Sequence, residues 1–193
     1  MKYSFTASFF LLFSLVGKSQ LTKGIWIAGG TASFYSTKNQ YSSSVVNQTS
    51  DVVRLGISPS VGYFLADKFV LGLRPSYTKT KAQVTTTSGL FTNENRLDVG
   101  PFARYYFLES EKQFNVLADV SYQYGFYWFT PTKGNRNTFS ASAGTVVFFN
   151  SSVGLELLLG YYSQKENIND AFKTINEQKG LQMTIGFQFH LEK

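Results

Sequence analysis

Apolar and polar residues alternate along most of this chain. The alternation is clearest from Gln113 to Phe129, QFNVLADVSYQYGFYWF. One register holds Phe114, Val116, Ala118, Val120, Tyr122, Tyr124, Phe126 and Trp128; the other holds Asn115, Leu117, Asp119, Ser121, Gln123, Gly125 and Tyr127. Side chains of a strand point alternately to its two faces, so this segment reads as a strand with one apolar face and a carboxylate in the middle of the other. The same period of two predicts eight strands: Gly24–Tyr35, Asp51–Phe64, Lys68–Thr80, Asn95–Phe107, Gln113–Trp128, Thr138–Phe149, Ser152–Gln164 and Gly180–Leu191. In the first of them GIWIAGGTASFY fits either phase. No long 3.6-residue pattern follows residue 20.

The links between these segments alternate in length. Leu65 to Asp67, Leu108 to Lys112, and Asn150 with Ser151 are short; residues 36–50, 81–94, 129–137 and 165–179 are long and polar. Short turns on one side and long loops on the other are the pattern of an even-stranded barrel crossing a membrane. Each strand also exceeds the roughly 9–11 residues that a tilted crossing needs. The expectation is an all-β fold: an eight-stranded antiparallel up-and-down transmembrane β-barrel whose apolar face meets lipid. A soluble sandwich or lipocalin-like barrel would turn that face inward. Pro59, Pro75 and Pro101 interrupt simple ladders and are expected to mark bulges.

Aromatic residues gather at both ends of the strands. Tyr63, Phe64, Phe69, Tyr105, Phe107, Phe114, Phe149, Phe187 and Phe189 lie beside the short turns; Tyr35, Tyr77, Trp128 and Tyr161 lie beside the long loops. Rings with an apolar body and a polar edge favour the membrane interface, so two belts are expected. The opposite face carries Gly, Ser and six charges: Arg54, Arg74, Asp98, Arg104, Asp119 and Glu156. Matched charges inside a narrow barrel are tolerable where isolated ones are not. They are expected to form an ion-paired plug that closes the lumen.

Composition narrows the field. Among 193 residues there is no Cys, which excludes a disulfide scaffold or a thiolate metal site. Aromatics make up 17% and charged residues only 16%, against roughly 25% charged in ordinary soluble domains. MKYSFTASFFLLFSLVGKS has a basic start, a short apolar run and small residues at its end, as in a secretory signal peptide, so residues 1–19 are read as a leader and 20–193 as the barrel. Removing Lys2 and Lys18 takes the net charge from +6 to 6 − 2 = +4, and no basic stripe points to nucleic acid. The single histidine, His190, falls at the short-turn end of the last strand, far from where a Ser–His site would open to the outer leaflet. Glu166 and Asp170 sit in a polar loop, and Asn47-Gln48-Thr49 matches a glycosylation pattern common by chance. No cluster has metal-ligand spacing, and no cofactor is expected.

SPSVGYFLADKFVLGL (Ser58–Leu73) and VGPFARYYF (Val99–Phe107) resemble the outer-membrane β-barrel domain proteins abundant in Bacteroidetes, a family similar in architecture to the small OmpA- and OmpX-type barrels. The resemblance implies a Gram-negative outer-membrane barrel, monomeric, with periplasmic termini, surrounded by lipid and inserted by the barrel-assembly machinery. It implies that the last strand is read by that machinery; Phe187, Phe189 and Leu191 keep the required phase, although Glu192 and Lys193 follow. The sequence therefore points to a non-enzymatic role in envelope structure or in surface interaction through the loops. The alternatives are a narrow channel, a lipid-handling barrel, or a soluble periplasmic barrel that binds a hydrophobic ligand.

Overall fold

The computed structural model describes residues 21–42, 47–85, 90–109, 112–129, 132–168 and 175–191. The expected leader and Asp170 lie outside them. Eight strands form in chain order: β1 (Trp26–Ser42), β2 (Asn47–Ala66), β3 (Phe69–Thr85), β4 (Leu90–Tyr106), β5 (Phe114–Phe129), β6 (Thr132–Phe148), β7 (Val153–Ile168) and β8 (Ile175–Leu191). Each pairs antiparallel with its neighbours in the chain, and β8 returns to β1 to close a barrel.

The greasy face is the outer one. On β5, Val120 is 45% exposed while Asp119 beside it is 3% exposed. Leu55, Leu73, Phe126, Leu159 and Ile185 share the outer face of their strands, and small or charged residues turn inward. The phase of β1 follows from the same burial: Ile27 is inside, with Trp26 and Phe34 outside.

The strands are longer than the alternation predicts. They run 16 to 20 residues and absorb most of the four polar links, leaving only 43–46, 86–89, 130–131 and 169–174 between strands on that side. The reason is solvent. Beyond the apolar band both faces of a hairpin are polar, so the period of two fades while the backbone ladder continues, as at Lys81↔Asn93 and Lys165↔Glu177. Asn47-Gln48-Thr49 accordingly opens β2.

The prolines make no bulges. Pro59 and Pro75 occupy facing positions of β2 and β3, where the ladder lapses between Ile57↔Tyr77 and Val61↔Leu73 and resumes in the same register. Pro101 sits in an equivalent lapse between β4 and β5. Without an N–H to donate, each proline leaves its pair open, and neighbouring pairs hold the alignment. Among the described residues the one register shift falls between Phe64 and Ala66, at the first short turn.

All three short turns are tied down. Lys68, at φ 65, donates its N–H to Leu21 O at 2.8 Å, accepts from Tyr106 N–H at 2.9 Å and reaches Glu109 with its ammonium at 2.9 Å. That left-handed position is uncommon for a residue with a Cβ, and these three contacts hold it. Asn115 closes the second turn, accepting from Leu108 N–H at 3.0 Å and donating to Leu108 O at 3.1 Å. Asn150 Oδ1 accepts from Ser152 and Val153 N–H in the third, both at 2.8 Å.

One seam is short. β1 pairs with β2 from Trp26 to Ser42, but with β8 only from Trp26↔Leu191 to Thr31↔Gly186.

An arginine in place of Val120, in the middle of the apolar outer face, should destabilise the barrel in lipid vesicles by about 2–4 kcal/mol. Urea unfolding followed by tryptophan fluorescence measures it; a change near zero would mean that this face meets water.

Candidate functional site

The lumen is layered. Its floor, at the short-turn end, is apolar: Phe64, Val70, Tyr106, Leu117, Val146 and Phe148 are buried, and Leu21 from the segment before β1 packs into them. Phe64, expected at the rim, therefore turns inward instead, because the even positions of β2 face the lumen. His190 belongs to this floor, its ring 5.8 Å from Phe64 and 5.6 Å from Phe148 between centroids.

Above the floor, five strands converge on two arginines. Arg74 (β3) grips Asp119 (β5) with two bonds of 2.9 and 2.8 Å, a bidentate pairing that the planar guanidinium favours. Arg104 (β4) donates its Nε to the same carboxylate at 3.0 Å. Its Nη1 reaches Glu156 on β7 at 2.7 Å and Gln188 on β8 at 3.0 Å. Tyr106 also donates to Gln188 Oε1, at 2.8 Å. The Arg74 guanidinium lies 4.5 Å from the centre of the Phe102 ring. Two cations and two carboxylates thus neutralise each other across the lumen.

A second cluster lies toward the far end. Arg136 on β6 holds Asp98 on β4 through both carboxylate oxygens, and Ser76 donates to Asp98 at 3.2 Å. Glu166 lies 3.2 Å from Arg96 and 3.8 Å from Arg136, and Arg96 also pairs with Glu94. Gly125 makes room for this cluster: a Cβ there would collide with the Asp98 carboxylate.

Of the six charges named from sequence, Arg74, Arg104, Asp119 and Glu156 come together. Asp98 lies in the other cluster. Arg54 joins neither: among the described residues it makes no ion pair, and its Nε reaches only the Thr80 hydroxyl, at 3.4 Å. The expected balance of three against three is therefore replaced by two clusters that include Arg96, Arg136, Glu94 and Glu166. These four were missed because their segments were read as loop or as strand ends. Glu166 in particular is a buried partner of two arginines and not a solvated loop carboxylate. Continuing the alternation would have found them, since Glu94 and Arg96 share a face with Asp98, and Glu166 shares one with Glu156.

Between the two clusters lies a cavity of about 350 Å³. Hydroxyls dominate its wall, among them Ser33, Ser58, Ser60, Ser121, Ser140 and Ser142, with Arg74, Arg104, Asp119 and Glu156 on the floor side.

The aromatic residues Tyr63, Phe69, Tyr105, Phe107, Phe114, Phe149, Phe187 and Phe189 occupy the outer face beside the short turns; Tyr77, Trp128 and Tyr161 occupy it higher up. Trp26, not anticipated there, packs on Tyr63 with centroids 5.1 Å apart. Phe69 and Tyr77 stand eight positions apart on β3. At ~3.4 Å per residue and ~40° tilt, that is roughly 20 Å up the barrel, near the ~25 Å apolar band of such proteins.

No family model and no curated protein matches this chain. Among solved structures it is similar to the outer membrane protein OprG from Pseudomonas aeruginosa, at 14% sequence identity and a TM-score of 0.59, over 93% of this chain and 100% of that one. At that identity the likeness establishes the fold, a closed eight-stranded antiparallel barrel of outer-membrane type.

Arg104→Ala leaves buried Glu156 without its cation and Asp119 with Arg74 alone, and should cost about 3–5 kcal/mol of stability. Arg54→Ala, which breaks no ion pair, should stay within about 0.5 kcal/mol. Equilibrium unfolding in vesicles compares them; equal effects would refute the brace at Arg104.

Proposed function

We propose that this chain is an outer-membrane barrel of a Gram-negative bacterium that neither conducts ions freely nor catalyses a reaction. It works in envelope structure or in surface interaction through the hairpins at its far end. The observation that carries this reading is the double seal of the lumen: an apolar floor of buried Phe64, Tyr106, Leu117 and Phe148 beneath the Arg74–Asp119–Arg104–Glu156 cluster. Hydrated ions crossing there would have to break paired charges and enter an apolar layer, both costly.

The apolar outer wall between two aromatic belts supports lipid as the surrounding medium. The likeness of fold to an outer membrane protein supports the same compartment. In this reading the short turns and both chain ends face the periplasm, the hairpins protrude from the cell, the barrel is monomeric, and the assembly machinery inserts it by its last strand. The motifs around Ser58–Leu73 and Val99–Phe107 favour membership of the Bacteroidetes barrel family, of OmpA/OmpX-like architecture. His190, enclosed by two phenylalanine rings in the floor, is poorly placed for acid–base work on a substrate.

Expressed with its own leader, the protein should fractionate with the outer membrane and run on gels at a position that shifts on boiling. In planar bilayers the purified barrel should give no stable conductance steps. Large, stable steps would overturn the sealed lumen, and recovery in the soluble periplasm would overturn the membrane assignment.

A further inference from the structure

Every other seam of the barrel is paired from its lower to its upper end, with lapses only at the prolines; the seam between β1 and β8 is paired at its lower end alone. Pairing there stops at Thr31↔Gly186, after six positions. Those positions climb roughly 13 Å at ~3.4 Å per residue and ~40° tilt, about half of a ~25 Å apolar band. The neighbouring strand fixes the level independently. On the β7–β8 ladder, Phe187 and Phe189 lie in the lower aromatic belt, and Leu181 faces Tyr161 of the upper one. Ile185 and Met183 fall between the belts, at the height of hydrocarbon, beyond the last β1–β8 pair. Their surroundings agree: Leu181 (78%), Met183 (71%) and, across the seam, Phe34 (71%) are the most exposed large apolar residues among those described.

This open stretch leads inward. Thr31 and Ser33 from one lip and Gln182 and Thr184 from the other line the hydroxyl-rich cavity, and Ala32, Met183 and Ile185, which belong to the outer face, line it as well. The lumen cavity and the lipid-facing wall are therefore continuous through the seam. Unpaired backbone groups cannot be left against hydrocarbon; they are tolerated where they line a polar cavity or meet a polar partner.

We infer that the β1–β8 seam is a lateral portal for a single-chain membrane amphiphile with a neutral, hydroxyl-bearing head, such as a monoacylglycerol. The head occupies the lumen cavity and bonds to the serine and threonine hydroxyls and the unpaired backbone groups. The alkyl chain stays outside against Phe34, Met183 and Leu181. A neutral head fits because the four charges on the cavity floor already neutralise one another. An anionic head would have to displace Asp119 from Arg74 and leave that buried carboxylate only the single bond from Arg104. Hydroxyls, which both donate and accept, match a polyol best. The inference rests on lipid surrounding the barrel but is independent of whether the lumen conducts.

The chain has no cysteine, so engineered pairs are unambiguous. Continuing the β1–β8 register places Ala32 opposite Ile185. A32C/I185C, oxidised, locks the portal; A28C/F189C, within the zipped part, is the control lock. Equilibrium binding of radiolabelled monolauroylglycerol to the full barrel in phosphatidylcholine nanodiscs, above empty nanodiscs, is the measurement. The expected result is saturable binding of one molecule per barrel, weakened about tenfold or more by the A32C/I185C disulfide, restored on reduction, and unaffected by the control lock. Laurate should bind at least about tenfold less tightly. Three outcomes would overturn the portal: no saturable binding, equal binding to locked and reduced forms, or A32C cross-linking between copies, which would make a second barrel the occupant. Equal affinity for laurate would overturn the neutral head.

Discussion

A polypeptide in hydrocarbon has no water to satisfy its amides, so each N–H and C=O must find another within the protein. The ring of eight antiparallel ladders answers that demand, and much else in the molecule follows from closing it. Closure at eight strands leaves an interior only wide enough for side chains. Large groups fit there because small ones stand opposite: a Cβ at Gly62 or Gly72 would press on the Phe102 ring, and one at Gly125 on Asp98. Pro59, Pro75 and Pro101, which cannot complete a ladder, are tolerated because intact pairs on either side hold the register.

The interior charges do a different job from the apolar floor. Buried ion pairs are weak contributors to net stability, since desolvation offsets much of their attraction. Their geometry is what distinguishes them here. Backbone ladders connect only neighbouring strands, whereas Arg104 on β4 reaches Asp119 on β5, Glu156 on β7 and Gln188 on β8. The cluster thus fixes the distance across the lumen, and Arg136 fixes β6 against β4 higher up. The floor excludes water; the braces hold the cross-section that lets it pack.

The fold was legible in the chain because an apolar outer wall and a narrow polar lumen impose opposite chemistry on alternate residues. Phe114, Val120 and Trp128 against Asp119 and Ser121 carry that contrast without help from tertiary structure. Legibility failed where the contrast fades. Lys81, Lys165 and Glu177 continue their strands beyond the apolar band, and their segments resembled loops. Arg136 and Glu166 were lost for the same reason, and with them two of the five charges of the upper cluster. Arg54 was misjudged in the other direction: it has the inward phase, but phase says nothing of height, and it stands above the reach of any carboxylate among the described residues. Phe64 and Phe69 flank the same turn, yet one faces in and the other out, a distinction that a belt drawn from position alone misses.

The brevity of the β1–β8 ladder also bears on what closing the barrel costs. Hairpins such as β2–β3 join residues that are close in the chain, so their closure entropy is small and their ladders are long. Joining the first strand to the last closes the largest loop in the molecule and gains six paired positions. On chain-entropy grounds that union is the costliest closure of the eight and is rewarded by the fewest paired positions. The two edges that meet there have no turn to align them, and the native protein keeps the upper part of that edge unjoined.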